Sequence, residues 1–196
     1  MSLLQIFTQV CFKIQVCGVT DGYVEFWALG HKLFKATSQT FTVPFLAGDV
    51  FDSSFMGSPS PVYEKPPVPK PESLSELKSL AALHGLVSVI HSAAFFHLFE
   101  EDGQLKAAKA LASLLTPEPG SMIFGWHVAA PERKEFVNPR GEKIYCHSPE
   151  SWKELWDDEV FTKGTVAVET WERNFDWRRR EGVTQIMILQ WKVSRL

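Results

Sequence analysis

The stretch 86–125 limits the folds open to this chain more than any other. An uncharged apolar run, Leu86-Val87-Ser88-Val89-Ile90, leads into His91-Ser92-Ala93-Ala94-Phe95-Phe96-His97-Leu98-Phe99 and then an acidic break, Glu100-Glu101-Asp102-Gly103. Over 104–115, Leu105, Ala108, Leu111, Ala112 and Leu115 recur at three- and four-residue spacing, with Lys106 and Lys109 on the other face, which predicts an amphipathic helix. Asp102 is placed to cap its start, and Pro117 and Pro119 forbid its continuation. A second apolar run follows, Ser121-Met122-Ile123-Phe124-Gly125. Strand, loop, helix, turn and strand make one βαβ unit. Such a unit needs a parallel pair, and in open α/β sheets ligands sit at the carboxyl ends of the strands.

Upstream, 12–19 alternates polar and apolar and stops at Thr20-Asp21-Gly22, reading as a strand that ends in an acid. Phe26, Trp27, Gly30, Leu33 and Phe34 then predict a helix. A second strand is predicted over 41–51, and it too ends among acids, Asp49 and Asp52. Six prolines from Pro59 to Pro71 exclude regular structure over 58–72, an exposed loop that is either a surface insertion or a lid. Ser73, with Glu76 three residues on, predicts a capped helix over 74–84.

Downstream, the chain loosens over 130–147. Ser148-Pro149 opens a helix carrying Trp152, Leu155 and Trp156. Two strands, 166–171 and 183–193, are joined across a polar connection over 173–182. The sum is one α/β domain over 1–196, its sheet mostly parallel with an antiparallel end.

Composition narrows the partners. At 196 residues the chain suits one domain, and 45% hydrophobic with 22% charged residues is a globular balance. A net charge of -3 leaves no basic excess to displace counterions, which argues against nucleic acid; Arg178-Arg179-Arg180 is the only basic cluster. Cys11, Cys17 and Cys146 form no CxxC pair, so neither a disulfide framework nor a metal site is indicated. No run approaches the ~20 apolar residues of a membrane span, and no basic n-region marks a signal peptide, so a cytoplasmic location is the expectation.

Asp21, Asp49 and the pair His91-Ser92 all fall at strand ends. One carboxylate there can accept both hydroxyls of a ribose, and a second can meet an exocyclic amine, as a nucleoside-containing cofactor requires. The competing reading is that each Asp caps a local turn. With no phosphate-cradling loop, no GxGxxG and no GxSxG, a dinucleotide enzyme and a serine hydrolase are both disfavoured.

Taken together, these segments resemble the fungal class I S-adenosylmethionine-dependent methyltransferases of secondary metabolism, including those that tailor meroterpenoids. The likeness lies in Glu25-Phe26-Trp27-Ala28-Leu29-Gly30-His31-Lys32-Leu33-Phe34, in Phe45-Leu46-Ala47-Gly48-Asp49-Val50-Phe51-Asp52 and in the run from His91 to Phe99. It continues through Ala107-Ala108-Lys109-Ala110-Leu111, Pro119-Gly120-Ser121-Met122-Ile123-Phe124-Gly125 and His147-Ser148-Pro149-Glu150-Ser151-Trp152. The resemblance implies a Rossmann-like sheet with S-adenosylmethionine as cofactor. It places Asp21 at the ribose, Asp49 and Val50 beside the adenine, and His91 and Ser92 along the methionine part. It makes 130–147 an acceptor-side insertion.

The family's first strand and its D-x-G-x-G turn have no counterpart here, so the resemblance implies an N-terminally truncated relative. In the family that strand lies between the strands matching 12–19 and 86–90. Residues 3–7, a homodimer or a partner chain would have to fill its place, because unpaired buried backbone groups are costly.

Methyl transfer to an oxygen of a small metabolite, a hydroxyl or a carboxylate, is the implied reaction. His97 and His127 are the candidate bases, although each also suits a packing role. Trp126 could line an apolar acceptor pocket. A catalytically inactive relative that binds or stabilises a partner is the alternative.

Overall fold

The computed structural model describes residues 8–12, 16–20, 24–37, 39–41, 44–67, 69, 71, 73–137, 143–179 and 182–196. The predicted βαβ unit is its centre. Strand β3 (Val89–Ala93) pairs in parallel with β4 (Met122–Ala129), and the helix Glu101–Leu114 crosses between them. Ala107, Ala108, Leu111, Ala112 and Leu114 of that helix are buried against Ile90 and Ile123. The helix starts a turn earlier than its periodicity implies. Glu100 is its cap residue, without a side-chain bond, and Asp102 lies inside the first turn rather than capping it.

Gly125 is obligatory at its place in β4. A Cβ there would stand 1.6 Å from the Ser92 carbonyl oxygen, so this parallel crossing is closed to any side chain.

The six-stranded sheet has the order β2-β1-β3-β4-β8-β7, where β1 is Thr8–Phe12, β2 Val16–Thr20, β7 Val166–Arg179 and β8 Gly182–Arg195. Following the pairings, β2, β3, β4 and β7 run one way, with β1 and β8 reversed. The single strand expected over 12–19 is therefore two antiparallel strands, β1 and β2, on either side of 13–15, which lie outside the described residues. The first of them fills the slot between β2 and β3. Residues 8–12 do this, and β1 enters antiparallel to both neighbours; residues 3–7, expected to contribute, lie outside the described residues.

Helix α1 (Val24–Phe34) forms as predicted, yet Leu29, Leu33 and Phe34 are 53%, 75% and 79% exposed. No strand forms among the described residues of 41–51. Pro44 offers no N–H, and the Asp49 carboxylate takes the Phe51 N–H at 2.9 Å, which turns the chain into the short helix α2 (Ser53–Met56).

The capped helix expected over 74–84 is replaced by turns and one 3₁₀ segment, Leu80–Leu83. Leu74, Leu77, Leu80 and Leu83 repeat strictly by three, the period of 3₁₀ rather than α geometry. With those two segments short, the crossover helix is α3 and the next is α4 (Pro149–Glu154).

The predicted Ser148 cap of α4 is present as a full capping box with Ser151, and Trp152, Leu155 and Trp156 are all buried. The helix widens into a π turn, Leu155–Val160. The 173–182 connection is largely strand: β7 and β8 stay paired from Val166↔Arg195 to Arg179↔Gly182, past the end of β4.

The loosened 130–147 holds a small hairpin, β5 (Lys134–Val137) and β6 (Lys143–Cys146). The proline-rich loop is pinned. Arg195 donates to the Val62 carbonyl and lies over the rings of Tyr63 and Phe161, while the Tyr63 hydroxyl takes the Thr162 N–H at 2.7 Å. Those contacts sit near the start of β4, at the sheet edge remote from Ala93 and Ala129.

Candidate cofactor and acceptor site

The carboxyl ends of β2, β3 and β4 lie along one sheet edge. Thr8 is opposite both Thr20 and Ser92, so the ends of β2 and β3 stand two strand spacings apart, about 10 Å. Asp21 follows Thr20 directly but lies outside the described residues.

Asp49 is exposed, at the head of its turn, and Val50 is half-buried against the core. The turn is fastened to the loop after β3 by rings in edge contact, Phe51 to Phe99 at 5.0 Å and Phe99 to Phe95 at 5.0 Å. Bonds from Ser54 hold the Asp52 carboxyl below its usual range, and that carboxylate serves as the cap of α2.

His91 and Ser92, adjacent in sequence, point to opposite faces of the sheet. Ser92 faces the core, fully buried, with no partner for its hydroxyl among the described residues. His91 faces the other way and stacks on Phe124 at 4.8 Å. Trp126 shares the His91 face, since Ala93 pairs with Trp126 and side chains alternate along β4. Ala94 then takes a left-handed conformation, φ 52, and its N–H bonds to the Trp126 carbonyl at 2.6 Å, turning the chain toward His97.

His97 and His127 do come together, with a third ring, His147, that the sequence marked only as a loop end and the start of a resembling segment. His127 is 1% exposed, packed 4.3 Å from Trp152 and 6.1 Å from Phe96. Its Nδ1 accepts the Trp191 indole N–H at 3.0 Å. His147 Nδ1 meets Ser151 Oγ at 2.9 Å. His97 Nδ1 accepts the Val128 N–H at 3.4 Å.

Burial pushes His97 and His147 each down to about 4, and burial together with the two neighbouring rings pushes His127 well below 6.5. At neutral pH all three are uncharged. In His97 and His127 the accepting Nδ1 leaves the ring proton on Nε2.

Gln104 was also not legible as a site residue. From inside α3, fully buried, its amide donates to the carbonyls of Phe99 (3.1 Å) and Tyr145 (2.6 Å), tying the His97 loop to β6. Only its place at the start of the helix pattern marked it. Among the described residues no group of three His, Cys, Asp or Glu is arranged to hold a metal ion, and no helix is long and apolar enough to cross a membrane.

No protein-family model matches the chain. It is 33% identical over 146 residues to the O-methyltransferase phiE of a fungal species, covering 74% of this chain and 41% of that protein. Against the Asnovolin E/Chermesin D methyltransferase nvfJ of Aspergillus novofumigatus it is 32% identical, over 56% of this chain and 40% of that one. Methyltransferase ausD of Penicillium brasilianum matches 90% of this chain at 26% identity, over 56% of its own length. The chain is a homologue of fungal secondary-metabolism methyltransferases.

It spans about half the length or less of these curated relatives. A SAM-dependent methyltransferase from Methanosarcina mazei superposes with a TM-score of 0.52 at 10% identity, covering 91% of this chain and 81% of that one. The fold is thus the class I methyltransferase fold, with β8 as its reversed carboxyl-terminal strand.

Proposed function

We propose that this methyltransferase homologue transfers a methyl group from S-adenosylmethionine to an oxygen of a small metabolite, with a carboxylate as the acceptor. The observation that carries the reading is the shared edge where the end of β2, the Asp49 turn and the end of β3 converge. The residues present fit the adenosine half of the cofactor. The Asp49 carboxylate, exposed and holding the Phe51 N–H with one oxygen, would meet the adenine amine with the other, with Val50 against the ring. Asp21 would take the ribose hydroxyls. Ser92, buried at the strand end with its hydroxyl unpartnered, would serve the methionine side.

When bound, the cofactor supplies an electrophilic methyl on a sulfonium, so positioning contributes most of the acceleration. His97 favours a carboxylate over a hydroxyl acceptor. Kept neutral by burial, with Nδ1 taken by Val128, it offers an Nε2–H donor to orient an oxygen instead of a free lone pair to deprotonate one. His127 stands behind it, orienting through Trp191.

A second reading has its own observation. The reversed β1 brings its start, not its end, to this edge, so β1 supplies no strand-to-helix turn whose backbone N–H groups point there. A non-catalytic relative that binds another protein would have that feature.

Calorimetric titration with S-adenosylhomocysteine separates the two. Micromolar binding to the native protein, weakened at least tenfold in Asp49→Ala, is expected; no heat from protein that is folded by circular dichroism would leave the non-catalytic reading standing.

A further inference from the structure

On the sheet face that α3 and α4 cover, the buried histidine group is short of acceptors. His127 Nδ1 takes the Trp191 indole N–H, so its own proton is on Nε2, and that N–H is buried without a partner among the described residues. Trp152 packs 4.3 Å from His127 and 5.4 Å from His147, and its indole N–H is orphaned in the same way. His147 adds a third orphan, Nε2. Ser151 Oγ already accepts the Ser148 N–H at 2.9 Å. For its own proton His147 Nδ1 is nearer, at 2.9 Å, than the Ser148 carbonyl at 3.3 Å. That bond leaves the His147 proton on Nε2.

Three neighbouring ring donors are thus stripped of water and given nothing in exchange, an arrangement that calls for a missing partner. What they lack is an oxygen with lone pairs to offer. The orphaned Gln104 Oε1 does not serve: none of the three reaches it, and its amide nitrogen is committed to the Phe99 and Tyr145 carbonyls. His97 is the one histidine of the group not fully enclosed, and with Nδ1 taken by the Val128 N–H it too presents a donor.

We infer that this group is an oxyanion site, in which the Nε2–H groups of His127 and His147 hold a carboxylate oxygen that enters past His97. The inference rests on the proposed reaction for the identity of that oxyanion, the carboxylate of the methyl acceptor, and it adds His147 as a binding residue. It also sets specificity. An alcohol brings a proton that needs a lone pair, and every free ring position here is a donor, so its O–H is left unpaired on burial. A carboxylate accepts from each of them.

Formate, the smallest carboxylate, is the probe. It is titrated at neutral pH into the isotope-labelled intact chain while the imidazole and indole N–H resonances are followed by NMR. Those of His127 and His147 are expected to move downfield and saturate, and methanol, of similar size, to leave them in place. His147→Phe should weaken formate about tenfold, the worth of one hydrogen bond to a charged group, while His147→Gln, whose amide N–H replaces Nε2–H, should stay within about twofold of the native chain. Resonances that ignore formate, or that follow methanol as far, would overturn the inference. So would a resident water on these N–H groups that formate does not displace. No cofactor is present in this titration, so its failure leaves methyl transfer to the calorimetric test, and failure of that test leaves the oxyanion site standing.

Discussion

The two faces of one sheet differ more than any two domains of a small protein need to. On the closed face Trp152, Trp156, Trp191 and Phe96 are within 1% of full burial, in mutual ring contact at 4.9–6.1 Å, and three neutral histidines sit in or beside that cluster. On the open face Trp171 and Phe175 are half in water and Phe124 is 37% exposed. Composition separates the faces as well as covering does, since Glu169, Lys192, Gln190 and Arg173 stand among the rings of the open face. The closed face is sealed by α3 and α4, whereas α1 leaves Leu29, Leu33 and Phe34 exposed.

Three experiments act on that contrast. Trp152→Ala should cost most. It removes a ring that touches Phe96, His127, His147, Trp156 and Trp191, and truncation of a buried aromatic costs about 3–5 kcal/mol, read as a loss of denaturation midpoint. A loss under about 1 kcal/mol would mean that the closed face is not the stabilising one.

Acidification comes next. His97, His127 and His147 have folded values below the 6.5 of a free ring, so the unfolded chain takes up more protons and stability falls as pH falls. Their contribution is fully present above pH 6.5 and is lost as pH drops toward 4. Urea midpoints at pH 7.5 and 4.5 should differ by several tenths molar or more, and equal midpoints would break the account of a sealed neutral cluster.

Phe124→Ala is the smallest. On the open face it forfeits a stack on His91 and only partial burial, so about 1–2 kcal/mol is expected, less than for Trp152→Ala. A cost as large as that of Trp152→Ala would break the contrast between the faces.

Much of this was legible beforehand. The βαβ unit could be read because both of its periods, two and 3.6, are local, and its proline stop is a covalent fact about the chain. The α4 cap was readable for the same reason, a Ser and a Pro in the right order. The reversal of β1 was not, because hairpin direction depends on what the strand pairs with, and alternation over 12–19 is the same in either direction. The loss of the 41–51 strand turned on one carboxylate capturing a backbone N–H that a sheet would otherwise have used.

The site was half legible. Acids and histidines at strand ends were visible as residue types. That His91 and Ser92 serve opposite faces follows from strand alternation once the strand is granted, but which face is closed does not. His147 and Gln104 entered only through contacts 41 residues away or packed across the sheet.

The sequence by itself determined the βαβ centre, the family and the chemistry on offer at the sheet edge, because spacing and residue type are written locally. Only the tertiary structure decided the direction of β1, the neutrality of the three histidines and the burial of one sheet face, because these depend on which distant segments exclude water from them.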